Sequence, residues 1–181
     1  MISGIGYKKI RELIEQLGSA EELLKTSAEI LSEQFHIAPK LAGRVANAKQ
    51  SNSFQIEKRI IAETPGIQLF CPDSSGFPLR LQHISILPTV LYWKGNLKDA
   101  ENLCLSFVGS RECTAYGKQQ TRRLIKELSL HVPDIIIVSG LAKGIDTIAY
   151  QTALECGLKT IAVLAGGLKH IYPPENKKLA K

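Results

Sequence analysis

Three short apolar runs, each ending in a glycine-bearing loop, constrain this chain more than any other feature. They lie within LCLSFVGSR, IIIVSGLAKGID and KTIAVLAGG, and the loops are Gly109-Ser110-Arg111, Ser139-Gly140 and Gly166-Gly167. Each run is five to six residues of mostly Val, Ile and Leu. Continuous apolar runs of that length suit strands buried on both faces, as in a parallel sheet. The segments between them carry helical spacing, so the order is strand, helix, strand, helix, strand. That order predicts a doubly wound α/β layout, in which ligands sit beyond the carboxyl ends of the strands. All three glycine loops fall at those ends.

Composition narrows the function classes. The chain has 181 residues, 44% hydrophobic and 22% charged, enough for one ordinary domain and a small one. A net charge of +6 mildly favours an anionic partner such as nucleic acid. There is no apolar stretch of membrane-spanning length and no apolar h-region at the start. Cys71, Cys104, Cys113 and Cys156 have no CxxC spacing. They read as reduced cytoplasmic thiols, not as a disulfide frame or a metal site.

Residues 1–60 read as helical. Ile10, Leu13, Ile14 and Leu17 share one face of a helix over Tyr7–Leu17. Gly18 and Ser19 break it, and Ser19 caps a second helix with Glu22 three residues on. A short helical turn follows around 27–35, and a third helix is expected over 39–49, opened by Pro39. The opening Ser3-Gly4-Ile5-Gly6 admits two readings: the phosphate-facing turn of a helix-hairpin-helix, or a glycine-rich start to a packing helix. Residues 61–102 form a connecting segment. Pro65, Pro72, Pro78 and Pro88 keep its regular structure short, with strands expected at 67–70 and 90–94. Trp93 reads as a packing residue.

Residues 103–181 hold the α/β part. Its first helix is expected over 115–130, capped by Thr114, with Leu124, Ile125 and Leu128 toward the sheet. Lys118, Arg122 and Lys126 form a basic row at spacing four that can meet phosphates, although such a row is more often a solvated face. The second helix is expected over 144–156, with Gly157 as its stop, and a third begins at 175. Three parallel strands make an incomplete sheet, so the segment is expected to be the N-terminal part of an extended domain.

The loops suit phosphate. At Gly109-Ser110-Arg111, glycine allows close backbone approach, helix N–H groups donate, and arginine offers a bidentate fork. Ser139 and Gly140 offer a second cradle, with Lys143 adding charge. Lys177 and Lys178 end the third. Neither GxGxxG nor GxxxxGK[ST] is present, so the dinucleotide fingerprint and the NTPase P-loop are missing. Asp146 reads as the only acid near these loops, and it finds no nucleophile or orienting partner. His170 and Tyr172 are equally unsupported as a catalytic pair. The expectation is therefore no catalytic set, no metal and no cofactor. Several phosphate sites in a row suit a nucleic-acid strand better than a nucleotide.

Taken together, FVGSR, VSGLAKGID and TIAVLAGGLKHIYPPENKKLA resemble the DprA/Smf family of DNA-processing proteins. The resemblance extends to LPTVLYWKGN and to GIGYKKIRELIEQLGSAEELL, and so spans the chain. It implies a bacterial cytoplasmic protein, not an enzyme, that binds single-stranded DNA. Such a protein protects incoming DNA and helps load the RecA recombinase in natural transformation. It also implies a helical N-terminal domain like a sterile-alpha-motif or helix-hairpin-helix fold, and an extended Rossmann-like domain. By position it assigns DNA binding to Gly109, Ser110, Arg111, Ser139, Gly140 and a lysine after YPPEN, with Lys178 the best match and Lys177 its neighbour. Family members continue with further strands and an arginine- and asparagine-rich segment, where dimer and RecA contacts are associated. The homodimer is thus implied for the full-length protein. A nucleotide-binding or nucleotide-processing enzyme of a related Rossmann-like fold is the second reading.

Overall fold

The computed structural model describes residues 4–72, 74–85, 87–168 and 171–180. The readings placed on Ser3 and His170 lie outside them. The chain packs into two compact units, residues 1–77 with 81–93, and residues 78–80 with 94–181.

The first unit begins with four short helices: α1 (Tyr7–Leu17), α2 (Ala20–Lys25), α3 (Ala28–Glu33) and α4 (Pro39–Ala46). Gly18 ends α1 in the left-handed conformation, at φ 88°. The Ser19 hydroxyl accepts the Glu22 N–H at 3.1 Å, as the cap predicts. Their apolar faces meet in one core of Ile5, Leu13, Leu23, Leu31, Ile37, Ala42 and Val45. Ile5 is buried between Gly4 and Gly6, so this opening anchors the first helix to that core. The third expected helix stops three residues early. Asn47 turns its N–H and its side-chain amide onto the Gly43 carbonyl, and a 3₁₀ turn over Ala48–Gln50 follows. A further helix, α5 (Asn52–Glu63), buries none of its residues. Phe54 and Ile56 are both exposed. Ile60 and Ile61 are half-buried. Strands β1 (Ile67–Phe70) and β2 (Leu91–Lys94) pair as a two-stranded sheet.

The second unit carries the parallel sheet. Its strands β3 (Cys104–Ser106), β4 (Ile136–Ser139) and β5 (Thr160–Ala162) stand in the order β3-β4-β5. Leu105 lies opposite Ile137, and Val138 opposite Ile161. Helices α6 (Ala115–His131) and α7 (Ile145–Glu155) make the two crossovers. Sequential parallel strands with right-handed crossovers place both helices on one face of the sheet. There Ile125 of α6, Ile137 of β4, and Ala149 and Ala153 of α7 form one core with Leu158.

Four expectations change here. The strand-order reversal of a doubly wound sheet is not found among the described residues, although the Rossmann-like α/β class holds. Only the central strand is buried on both faces. Ile136 and Ile137 are fully buried, whereas Leu105 on β3 is 39% exposed and Val108 beyond it 85%. An edge strand and a central strand look alike in composition, because burial depends on the neighbours. Leu124 is 47% exposed, and the inward row of α6 is Thr121, Ile125 and Leu128. The expected third helix is a 3₁₀ turn over Pro174–Lys178.

Ile125 is the side chain α6 sets deepest in this core. Ile125→Ala is expected to destabilise the fold by about 3 kcal/mol, from lost burial plus the cavity left behind. A urea titration checks it. A midpoint unchanged from wild type would mean that α6 does not share a cooperative core with β4 and α7.

Candidate functional site

The site grows from the loop after β3. The Phe107 N–H donates to the Val138 carbonyl at 2.9 Å, extending the ladder one residue beyond β3. At Gly109 the chain passes directly under Ile145. A Cβ there would lie 2.6 Å from Ile145 Cγ1. The Ser110 hydroxyl accepts the Glu112 N–H at 3.1 Å, and the Ser110 carbonyl accepts the Ile145 N–H at 3.1 Å. Thr114 then caps α6 by accepting the Gly117 N–H.

The loop after β4 fits against it, backbone to backbone. Gly144 sits at φ 81°, ψ −126°, and a Cβ there would lie 2.1 Å from the Ser110 carbonyl oxygen. Asp146 is buried, and its Oδ2 accepts the Ala142 N–H at 3.4 Å. The same oxygen would lie 2.9 Å from a Cβ on Gly140, so that glycine makes room for it. The carboxylate thus braces its own loop, the structural role expected of it. The Ser139 carbonyl accepts the Val163 N–H at 2.9 Å, while its hydroxyl is buried without a partner among the described residues.

The segment after β5 locks onto the second loop through Asn176. This side chain is 3% exposed. Its amide donates to the Leu141 carbonyl at 2.9 Å and to Thr147 Oγ1 at 2.8 Å, with the Ala142 carbonyl at 3.4 Å. Thr147 in turn donates to the Ala142 carbonyl at 2.6 Å. Asn176 was missed in the sequence because it stands among charged residues that are exposed. The one available signal was a short polar amide two positions after a pair of prolines.

These braced loops surround an open pocket of about 390 Å³. Arg111, Lys118 and Lys143 line it, with Glu112 and Glu175. Asp146 is therefore not the only acid nearby, since the Glu112 and Glu175 carboxylates also reach the pocket. None of the three cations forms an ion pair among the described residues, and all three are exposed. Of the sequence-predicted residues, Arg111 and Lys143 meet in the pocket. Gly109, Ser110, Ser139 and Gly140 build the interlocked loops. Lys177 and Lys178 are exposed on the 3₁₀ turn and do not line the pocket, although Glu175 and Asn176 beside them do. Lys118 was assigned to the solvated row and is a pocket residue as well. Tyr172 is 62% exposed. On α7, burial raises the pKa of the Tyr150 phenol, which marks it as a packing residue.

A parallel α/β sheet with braced loops and a basic pocket at its carboxyl edge defines a Rossmann-like protein with an anion-compatible site. The chain belongs to the DNA recombination-mediator protein A family, whose description matches residues 68–181. It is 43% identical over 103 residues to the DNA processing protein DprA of Streptococcus pneumoniae, covering 57% of this chain and 36% of that protein. It is 31% identical to the protein Smf of a Synechocystis species, covering 98% of this chain and 45% of that one. The X-ray structure of DprA from Streptococcus pneumoniae superposes with a TM-score of 0.75 at 31% identity, over 99% of this chain and 60% of that one. The chain spans less than half the length of these curated relatives. No helix among the described residues is long and apolar enough to cross a membrane.

Proposed function

We propose that this chain binds single-stranded DNA through its phosphates, as part of a DNA-processing protein that acts in recombination. The observation that carries the reading is the convergence of Arg111, Lys118 and Lys143 on one open pocket. Among the described residues they form no ion pair, and they stand at the carboxyl edge of a Rossmann-like sheet in a recombination-mediator chain. Interlocked glycine loops fix the backbone, and the cations supply charge without a catalytic set. Gly109, Ser110, Ser139 and Gly140 offer backbone approach, and Lys177 and Lys178 carry the track onward. The protein so formed shields incoming DNA in the cytoplasm and helps load the RecA recombinase. Its full-length form pairs as a homodimer.

Fluorescence anisotropy of a labelled single strand, titrated at several salt concentrations, tests this. Each phosphate contact on a single strand contributes about 0.7 to the slope of log affinity against log salt. Arg111→Ala is expected to weaken binding to all sequences alike and to lower the slope by about that amount. Unchanged affinity at low salt would remove Arg111 from the site. A mononucleotide that displaces the strand completely would favour a nucleotide-binding enzyme instead. In that reading Asp146 was the candidate base, and its carboxylate is already engaged by its own loop.

A further inference from the structure

We propose that the basic row Lys118, Arg122 and Lys126 on α6 extends the phosphate track out of the pocket, so that a bound strand leaves along this helix. The inference rests on the DNA-binding reading above and deepens it.

Lys118 belongs to both features. It lines the pocket beside Arg111 and Lys143, and it begins a row that continues up the helix at spacing four. Four residues of helix rise about 6 Å, comparable to the separation of successive phosphates in an extended single strand. All three side chains are exposed.

The row is locally unfavourable to the helix that carries it. Like charges at spacing four repel by a few tenths of a kcal/mol per pair. A cation near a helix N-terminus opposes the macrodipole, and the first turn of α6 holds no acid to offset it. No acidic residue stands three or four positions from Lys118, Arg122 or Lys126. The neighbouring cation Arg123 is treated differently, because Glu127 pairs with it at 3.1 Å. A solvated helix face ordinarily intersperses the two signs, as the Arg123–Glu127 pair does. A continuous row that starts inside the basic pocket, with no ion pair among the described residues, fits an anionic polymer lying along it.

The test uses the full chain and two oligothymidylates, one of about 6 nucleotides and one of about 20, chosen to span the usual single-strand site sizes. Arg122→Gln/Lys126→Gln keeps good helix formers at both positions. This double variant is expected to bind the short strand as wild type does and to lose affinity for the long one. Its salt slope on the long strand should fall by about 1.4, so that a fourfold rise in salt costs wild type roughly sevenfold more affinity than the variant. Its thermal midpoint should equal or exceed that of wild type, since a repulsion has been removed. Lys118→Gln should weaken both lengths. Equal affinity and equal slope for the double variant on the long strand would overturn the proposal. So would wild type that gains nothing from length. If Arg111→Ala leaves the short strand unaffected while the double variant weakens the long one, the pocket reading fails and the helix track stands.

Discussion

Gly144→Ala is expected to destabilise the second unit by roughly 3–5 kcal/mol and to open the basic pocket. Two effects combine. The backbone there is at φ 81°, ψ −126°, a region nearly confined to glycine. The new methyl carbon would also lie 2.1 Å from the Ser110 carbonyl oxygen and 2.7 Å from that of Arg111. Both obstacles are backbone atoms, so no rotamer change relieves them. The loops must separate, and the Ile145 N–H then loses the Ser110 carbonyl that it holds at 3.1 Å. Gly157→Ala shows the cost of a positive φ without a clash. Its φ of 73° also disfavours a side chain, but nothing lies within 4 Å of a Cβ there. Its expected loss is about 1 kcal/mol. Urea midpoints of the two variants measure the difference. Equal losses would mean that the loops do not press on each other as described. If the loops do separate, Gly144→Ala should weaken single-strand binding even in the fraction that remains folded.

Much of this architecture was legible in the residues. Continuous Val/Ile runs closed by glycine specify strands that end in tight turns, and Thr114 and Ser19 mark helix starts by a hydroxyl that accepts an N–H three residues on. What stayed hidden depends on neighbours distant in sequence. Leu105 and Ile137 are similar side chains in similar runs, but one lies on an edge strand and the other in the middle. Leu124 and Ile125 differ by one position, and a helix turns 100° per residue, so an estimated face is easily misjudged. The candidate site divides in the same way. Arg111 and Lys143 announced themselves as cations next to glycine loops. Lys118 did not, because its place in the pocket depends on how the start of α6 meets the loop before α7. Gly109 reads in the sequence as a point of close backbone approach, and in the fold a Cβ there would also meet the Ile145 side chain.

Asn176→Leu is expected to cost about 2–4 kcal/mol and to release the 3₁₀ turn that bears Lys177 and Lys178. The amide of Asn176 is the donor for the Leu141 carbonyl at 2.9 Å and for Thr147 Oγ1 at 2.8 Å. Leucine has the same branching but offers no donor, so buried acceptors are left unpartnered. Asn176→Asp makes the cause visible through pH. A carboxylate at that position would face the Leu141 and Ala142 carbonyl oxygens, so the folded state favours the protonated form and raises the pKa of the new carboxyl. Relative to wild type, this variant should lose little below its unfolded pKa, near 3.9 for an aspartate. The loss should grow as pH rises toward the raised folded value and then remain constant through neutrality. Asn176→Leu carries no titrating group and should show a deficit independent of pH. Urea midpoints of the three proteins between about pH 3.5 and 8 decide the matter, a window set by the ordinary carboxyl value and neutrality. Parallel curves for the two variants would mean that Asn176 acts by filling space. Diverging curves would assign its effect to the donated hydrogen bonds, and with them the tie between the third segment and the loop that holds Lys143.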